Sequence, residues 1–358
     1  MCRCQEKHGG SAVNNIVIEF LQRHPDRIPG NQAPDKWTCV IATPRFKASG
    51  HLIFFLLPQG SAAPTMIAKV PRLPGEAQRL ELESQNLCMA AQLKEGGFEA
   101  VPKIIAYDTF HGYRLLVETA VPGQTMRPAF VKRHRTQCLE LGLGWLLEFH
   151  QASLRNQAGV RGQAAQTIMS RMANLESLSA LSESDERCVA KSMRIARDLQ
   201  AQHLPTVFEH GDFSSPNLLI SATGQLGVVD WELANDCGLP GPDLFFFLSY
   251  IGFAVAGATQ QNEKYMAAFQ SAFFSRDAWA LPYIRQYWQG LGLDRGVASG
   301  LFVLCWAKYV SSLLDRLAEG SDRGSQFTRE TLGWIRSNRY YKMWRYAVEN
   351  LDQLHLVG

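Results

Sequence analysis

HGDFSSPNLLISATGQLGVVDWE, residues 210–232, groups Asp212, Asn217 and Asp230 around one short hairpin. Residues 218–220 are apolar, Ala222-Thr223-Gly224-Gln225 turns, and residues 226–229 are apolar again, so the stretch predicts two antiparallel strands. Folding about the bond between Thr223 and Gly224 sets Asn217 opposite Asp230. Opposed residues in such a pair lie roughly 4.5 to 5.5 Å apart at their α-carbons, and Mg²⁺ takes oxygen ligands at about 2.0 to 2.1 Å. One ion between Asn217 and Asp230, with the Asp212 carboxylate left over, is an arrangement suited to phosphoryl transfer.

Around this stretch the chain changes its periodicity. Residues 12–23 are amphipathic and are followed by a linker carrying Pro25, Pro29, Gly30 and Pro34. Residues 37–43, 51–57 and 65–70 are rich in β-branched and aromatic side chains with turn signals between them, and predict a three-stranded meander. A helix is expected over 75–94, stopped by Gly96-Gly97, and a hairpin over 104–109 and 113–119 about His111-Gly112. Beyond Val121-Pro122-Gly123 the spacing becomes mostly helical, with helices expected over 139–153, 190–204 and 331–351. In the last of these Trp334, Tyr341, Trp344, Val348 and Leu351 share a face. Three regions follow: an extension and linker over 1–36, a sheet-bearing lobe over 37–120 and a helical lobe over 121–358.

Composition bounds the function. A chain of 358 residues, 46% hydrophobic and 19% charged, holds enough apolar material for two lobes. A formal net charge of +3 gives no electrostatic footprint for nucleic acid. The run 244–258 is interrupted by Ser249, Tyr250 and Gly252 and is shorter than the ~20 residues of a membrane span, so a buried helix is expected there. No apolar signal segment opens the chain and the eight cysteines are mostly scattered singly, which leads us to expect a cytoplasmic protein with reduced thiols. Cys2, Cys4 and His8 have no second ligand pair at zinc-site spacing, and a frayed terminus is the simpler account. No G-x-x-x-x-G-K-[ST] motif is present. Gly290 and Gly292 have the wrong spacing for a dinucleotide fingerprint and are expected to end a helix.

His210-Gly211-Asp212 followed by Asn217 resembles the kinase catalytic-loop pattern H-R-D-x-x-x-x-N with Gly in place of Arg, and Asp230-Trp231-Glu232 stands where protein kinases carry D-F-G. With the continuation VVDWELANDCGLPGPDLFFFL, the motif resembles the aminoglycoside phosphotransferase and choline kinase family. The resemblance implies an α+β, bilobal protein kinase-like fold: a five-stranded sheet with one helix in the N-lobe and a mostly helical C-lobe. It implies a small-molecule kinase that uses ATP or GTP with Mg²⁺ and a small hydroxylated acceptor. Asp212 is then the catalytic base, Asn217 and Asp230 the metal ligands, and Asp243 a brace beneath the catalytic loop. His210 and His150 take structural places.

Lys69, in Met66-Ile67-Ala68-Lys69-Val70, resembles the V-A-I-K lysine that meets the nucleotide α- and β-phosphates. Its expected counter-ion is Glu83, with Glu81 the fallback and Glu76 assigned to the helix dipole. The phosphate loop departs from pattern. Residues 44–50 offer one glycine, so contacts are expected from the backbone of Ser49 and Gly50, with Lys47 nearby. The adenine edge is expected along the hinge from Glu118 to Val121. Residues 323–345 carry Arg329, Arg336, Arg339 and Lys342 against Glu330 alone, interleaved with Tyr340, Tyr341 and Trp344. That excess leans toward a neutral or anionic acceptor over a polycation, beside the plainer account of a solvated basic face. A catalytically inactive kinase-fold module is the alternative function; the absence of an A-P-E segment after Asp230 disfavours a protein-serine kinase.

Overall fold

The computed structural model describes residues 15–28, 37–43, 51–73, 75–98, 100–156, 163–172, 175–180, 182–202, 204–259, 264–319 and 329–356. The contact pattern divides the chain into two compact units, residues 1–84 with 102–120, and residues 85–101 with 121–358.

The first unit is a five-stranded antiparallel sheet in the order β1-β2-β3-β5-β4, formed by β1 (Trp37–Ala42), β2 (His51–Pro58), β3 (Met66–Pro71), β4 (Ile104–Phe110) and β5 (Tyr113–Thr119). Helix α1 (Ile16–Arg23) belongs to its core. Asn15 caps the helix by accepting from the Val17 amide at 3.0 Å. The apolar stripe of Val17, Phe20 and Leu21 packs with Phe54, Leu56, Met66, Ala68 and Val117. Helix α2 (Gln78–Gln92) starts three residues later than the pattern implied, because Gly75 lies at φ +91, outside helical space.

In the second unit, residues 85–101 bond to the metal-motif region. The Asn86 side chain donates to the carbonyls of Trp231 at 2.9 Å and Ala234 at 3.1 Å, and the Val228 amide donates to the Ala100 carbonyl at 2.8 Å. β6 (Gln124–Thr125) joins the hairpin of β8 (Leu218–Ile220) and β9 (Leu226–Val228), while β7 (Val207–Glu209) pairs with β10 (Asn235–Gly238). The helices are α3 (Pro128–Arg133), α4 (Arg135–Asn156), α5 (Gln163–Ser170), α6 (Glu183–Gln200), α7 (Pro242–Ala256), α8 (Tyr265–Phe273), α9 (Leu281–Leu291), α10 (Ala298–Glu319), α11 (Arg329–Ser337) and α12 (Arg339–Glu349).

The buried helix expected over 244–258 is α7, whose residues from Pro242 to Ala254 are buried apart from Tyr250. The segment Arg295–Asp315 is the one described helix long and apolar enough to cross a membrane, and 78% of its most apolar window is buried inside the protein. It is a core helix, packed on α6, α7 and α12. Gly292, at φ +63, ends α9 as expected.

Two expectations are corrected. Strand register pairs Leu218 with Val228 and Ile220 with Leu226, so the hairpin folds about Thr223 itself and Asn217 faces Val229 instead of Asp230. The turn closes through Gly224 N–H to the Ser221 carbonyl at 3.0 Å, which sets the register one residue away from the symmetric guess. The helix expected over 331–351 is also two helices. Asn338 ends α11 through its amide to the Ile335 carbonyl and begins α12 by accepting from the Tyr340 amide at 2.9 Å. Tyr341, Trp344 and Val348 stay buried, whereas Trp334, on the far side of the break, is 50% exposed.

Helix α4 offers a test of the packing. A Cβ on Gly142 would stand 2.2 Å from the Phe247 ring of α7, whereas a Cβ on Gly144 meets nothing within 4 Å. Gly144→Ala is expected to raise unfolding stability by up to about 1 kcal/mol. Gly142→Ala carries an overpacking cost of about 1 to 3 kcal/mol and should fall below both Gly144→Ala and the parent in denaturant midpoint.

Candidate active site

The catalytic-loop motif hangs from Asp243. This aspartate sits in the first turn of α7 and accepts from the backbone amides of His210 at 2.6 Å and Gly211 at 2.9 Å. His150 Nε2 approaches the same carboxylate at 3.6 Å, longer than a hydrogen bond, while its Nδ1 bonds the Tyr287 hydroxyl at 2.6 Å. Burial by itself would raise the Asp243 pKa. The contact with His150 and the proximity of His210 and Lys308 outweigh it, and the carboxyl is held well below the usual carboxylate range.

Gly211 explains why the motif reads H-G-D. Its φ is +85, and an added Cβ would lie 2.3 Å from the Leu233 carbonyl oxygen. An arginine at this place would collide with main chain. The Tyr309 hydroxyl donates to the Gly211 carbonyl at 3.1 Å and secures the loop from α10.

His210 couples the loop to the second motif. Its Nδ1 accepts from the Asp212 amide at 3.3 Å, which leaves the proton on Nε2 to donate to the Val229 carbonyl at 3.1 Å. The next residue, Asp230, adopts φ +70, a left-handed conformation that aspartate tolerates better than most side chains. Trp231 anchors this bend: it is fully buried, donates to the Val228 carbonyl at 3.1 Å and packs edge-on against His210, Phe149 and Phe208.

Asn217 and Asp212 are in direct contact. The Asn217 amide donates to Asp212 Oδ2 at 2.9 Å and to the Asp212 carbonyl at 3.1 Å. Burial raises the Asp212 pKa, the nearby negative charge of Asp230 raises it further, and His210, Asn217 and Lys308 only partly offset the rise. The structure therefore brings Asp212, Asn217 and Asp230 into one electrostatic cluster, although Asn217 is not opposite Asp230 in the ladder. Asn217 and Asp230 both offer oxygen, the donor a hard divalent cation takes. A cation beside Asp230 would also relieve its repulsion of Asp212, so the donor set fits magnesium.

In the first unit, Lys69 lies on β3 opposite Ile53 and Leu116, on the sheet face away from Ala68 and the α1 core. Its ammonium pairs with Glu83 of α2 and stands 3.4 Å from Glu118 of β5, with the lysine and both carboxylates buried. Glu81 and Glu76 are exposed. Within the hinge, the amides of Thr119 and Ala120 bond the carbonyls of Lys103 and Thr65, each at 2.9 Å, and the Val121 side chain packs on Gly227. Ser49, Gly50 and Lys47 lie outside the described residues, as do Cys2, Cys4 and His8. Among the described residues no group of three or more His, Cys, Asp or Glu is placed to hold a metal.

Sequence reasoning passed over a buried ionic triad behind the loop. Glu209, next to His210, pairs with Arg171 and with Lys308 at 2.6 Å and accepts from the Leu239 amide at 3.3 Å. Burial disfavours the charge on Glu209, but the two cations win and its pKa is lowered. Lys308 had a readable signal, as the one charged residue within residues 301–314. Arg171 had none, because its partner is 38 residues away.

The α+β architecture, the loop of residues 210–217 and the left-handed aspartate after the hairpin accord with the kinase-like phosphotransferase fold expected from the motif. Residues 51–282, more than half of the chain, match the phosphotransferase enzyme family, and the chain belongs to it. Among solved structures the chain is similar to choline kinase LicA from Streptococcus pneumoniae (12% identity, 94% of this chain and 98% of that one, TM-score 0.54). It is likewise similar to choline kinase from Cryptosporidium parvum (11%, 94% and 96%, 0.53) and to an ethanolamine kinase from Plasmodium vivax (12%, 93% and 87%, 0.50). At these identities the likeness establishes the fold. No match was found among curated proteins.

Because the Asp243 pKa is depressed in the folded state, its ionisation contributes stability that is complete above the unfolded pKa near 3.8 and is lost as pH falls below it. Asp243→Asn should lose about 2 to 4 kcal/mol at pH 7, with two backbone amides poorly satisfied. Urea unfolding across acid pH should show a shallower stability loss in the variant than in the parent.

Proposed function

We propose that this protein is an ATP-dependent kinase that transfers the γ-phosphoryl group to a hydroxyl of a small metabolite-like acceptor. The observation that carries the proposal is the Asp212 carboxylate: oriented by Asn217, raised in basicity by burial, and mounted on a loop held from beneath by Asp243. With Asn217 bonded to Oδ2, the Oδ1 atom is left to accept from the acceptor hydroxyl. The acceptor oxygen bonds to the γ-phosphorus as the bond from phosphorus to the β,γ-bridging oxygen breaks. ADP leaves with that electron pair and the proton passes to Asp212.

Asn217 and Asp230 would hold the magnesium ion, which supplies charge neutralisation on the nucleotide phosphates when bound. Lys69 would meet the α- and β-phosphates, with Glu83 and Glu118 keeping its ammonium charged and positioned. Ser49 and Gly50 would add backbone contacts, and the main chain from Glu118 to Val121 would take the base. Positioning and preorganised charge account for most of the barrier reduction. The filled set Lys69, Glu83, Asp212, Asn217 and Asp230 disfavours an inactive binding module.

Asp212→Asn is expected to lower phosphoryl transfer by about 10²- to 10⁴-fold while calorimetry finds Mg-ATP affinity unchanged. Equal loss of binding and turnover would remove Asp212 from the base role. Turnover requires ionised Asp212 and its pKa is raised, so kcat/KM should fall on the acid side with a midpoint above the ordinary aspartate value of 3.8. A flat acid profile, with the fold intact by circular dichroism, would contradict that assignment.

A further inference from the structure

Beside the catalytic loop lies a cavity of about 260 Å³ bordered by Ser214 and Ser215 of the loop, Tyr250 and Phe246 of α7, and Arg339 and Tyr340 of α12. Its wall is continuous with the machinery. Tyr309, whose hydroxyl holds the Gly211 carbonyl, stacks on Phe246 at 4.3 Å and on Tyr340 at 5.1 Å, and the Arg339 guanidinium lies 4.9 Å from the Tyr340 ring centre. One aromatic stack therefore runs from the loop of Asp212 to a single guanidinium. No carboxylate is among the described residues lining the cavity, and Arg339 is the only cation there.

Three other basic residues, Arg336, Lys342 and Arg345, have different employment. Arg336 and Arg345 both pair with the buried Asp185, at 2.5 and 3.2 Å, and Lys342 lies over the Tyr265 ring. Arg339 makes one hydrogen bond, to the Tyr340 hydroxyl at 3.0 Å, and no ion pair among the described residues. It is exposed and stands at the first position of α12, where a cation opposes the helix dipole and gains no helix stability. An anion placed against it would meet both the guanidinium and the positive end of α12.

We infer that this cavity receives the phosphoryl acceptor, and that the acceptor is an alcohol carrying an anionic group, a carboxylate or a phosphate monoester, bound by Arg339, with an apolar body against Tyr250, Phe246 and Tyr340. A quaternary or primary ammonium acceptor finds aromatic faces in this cavity but no counter-charge, and it meets Arg339 as a like charge. The inference rests on the kinase function proposed above and narrows its substrate class.

The test uses the full-length protein with Mg-ATP and alcohols that share a body and differ in charge. These are 3-phenyllactate with a carboxylate, 3-phenylpropane-1,2-diol with none, and phenylalaninol with an ammonium; glycerol 3-phosphate and choline extend the two charge classes. Phosphorylated products are read by mass, and Mg-ATP binding by calorimetry. Transfer to the anionic alcohols is expected, with glycerol 3-phosphate against 3-phenyllactate separating phosphate from carboxylate. Arg339→Gln should raise their KM by at least about tenfold, the loss of one charge-assisted hydrogen bond, with the effect concentrated in KM over kcat. Arg339→Lys should recover part of it, and Arg339→Glu should move the preference toward phenylalaninol. Preference for choline or phenylalaninol in the parent, a KM indifferent to Arg339, or Mg-ATP binding without transfer to any anionic alcohol would each overturn the acceptor class and leave the kinase function standing. Failure to bind Mg-ATP would remove the kinase function itself.

Discussion

Two short hydrogen bonds from the amides of His210 and Gly211 to the Asp243 carboxylate hold the catalytic loop in place. The loop needs them because Gly211 is at φ +85 and has a carbonyl oxygen where a side chain would start, so its own torsional preferences do not define its path. The carboxylate in turn is fixed by the start of α7, where Gly241 turns the chain and Pro242 begins the helix. The placement of Asp212 is thus decided a full element away from Asp212.

Charge is arranged in layers behind that loop. The buried Glu209 pairs with Arg171 and with Lys308, and Lys308 adds positive potential at both Asp243 and Asp212. Such burial is costly for each ion alone and holds because each finds a partner. Lys308 acts on both aspartates in the same direction, and what separates them is the rest of their surroundings: burial and then Asp230 raise the Asp212 pKa, whereas the contact with His150 outweighs burial at Asp243 and keeps it ionised. Two identical side chains are thus driven in opposite directions by their environment.

The grouping of Asp212, Asn217 and Asp230 was legible because the three lie within one short stretch of chain. Five of the strands, α2 and its Lys69 partner Glu83 were also legible, since period-two and helical spacing place them without long-range information. The hairpin register was not, because a one-residue shift in the turn preserves the apolar pattern of 218–220 and 226–228 nearly as well. The break at Asn338 escaped for a similar reason: an asparagine inside an amphipathic run reads as a polar helical residue until its side chain is seen capping Tyr340. The switch to helical spacing at residue 121 coincides with a unit boundary, yet residues 85–101 join the second unit through Asn86 and Ala100, contacts that periodicity does not carry.

By itself the sequence determined the family and the kinase-like fold, because these follow from residue type and spacing along a short stretch of chain. Tertiary structure alone decided which acid is basic and which is held ionised, which basic residues of 329–345 are tied to Asp185 and which one borders a cavity, and how α10 anchors the catalytic loop. Those properties depend on burial and on charges brought together from residues up to 160 positions apart, and electrostatic energy is set by distance in space and by exclusion of water.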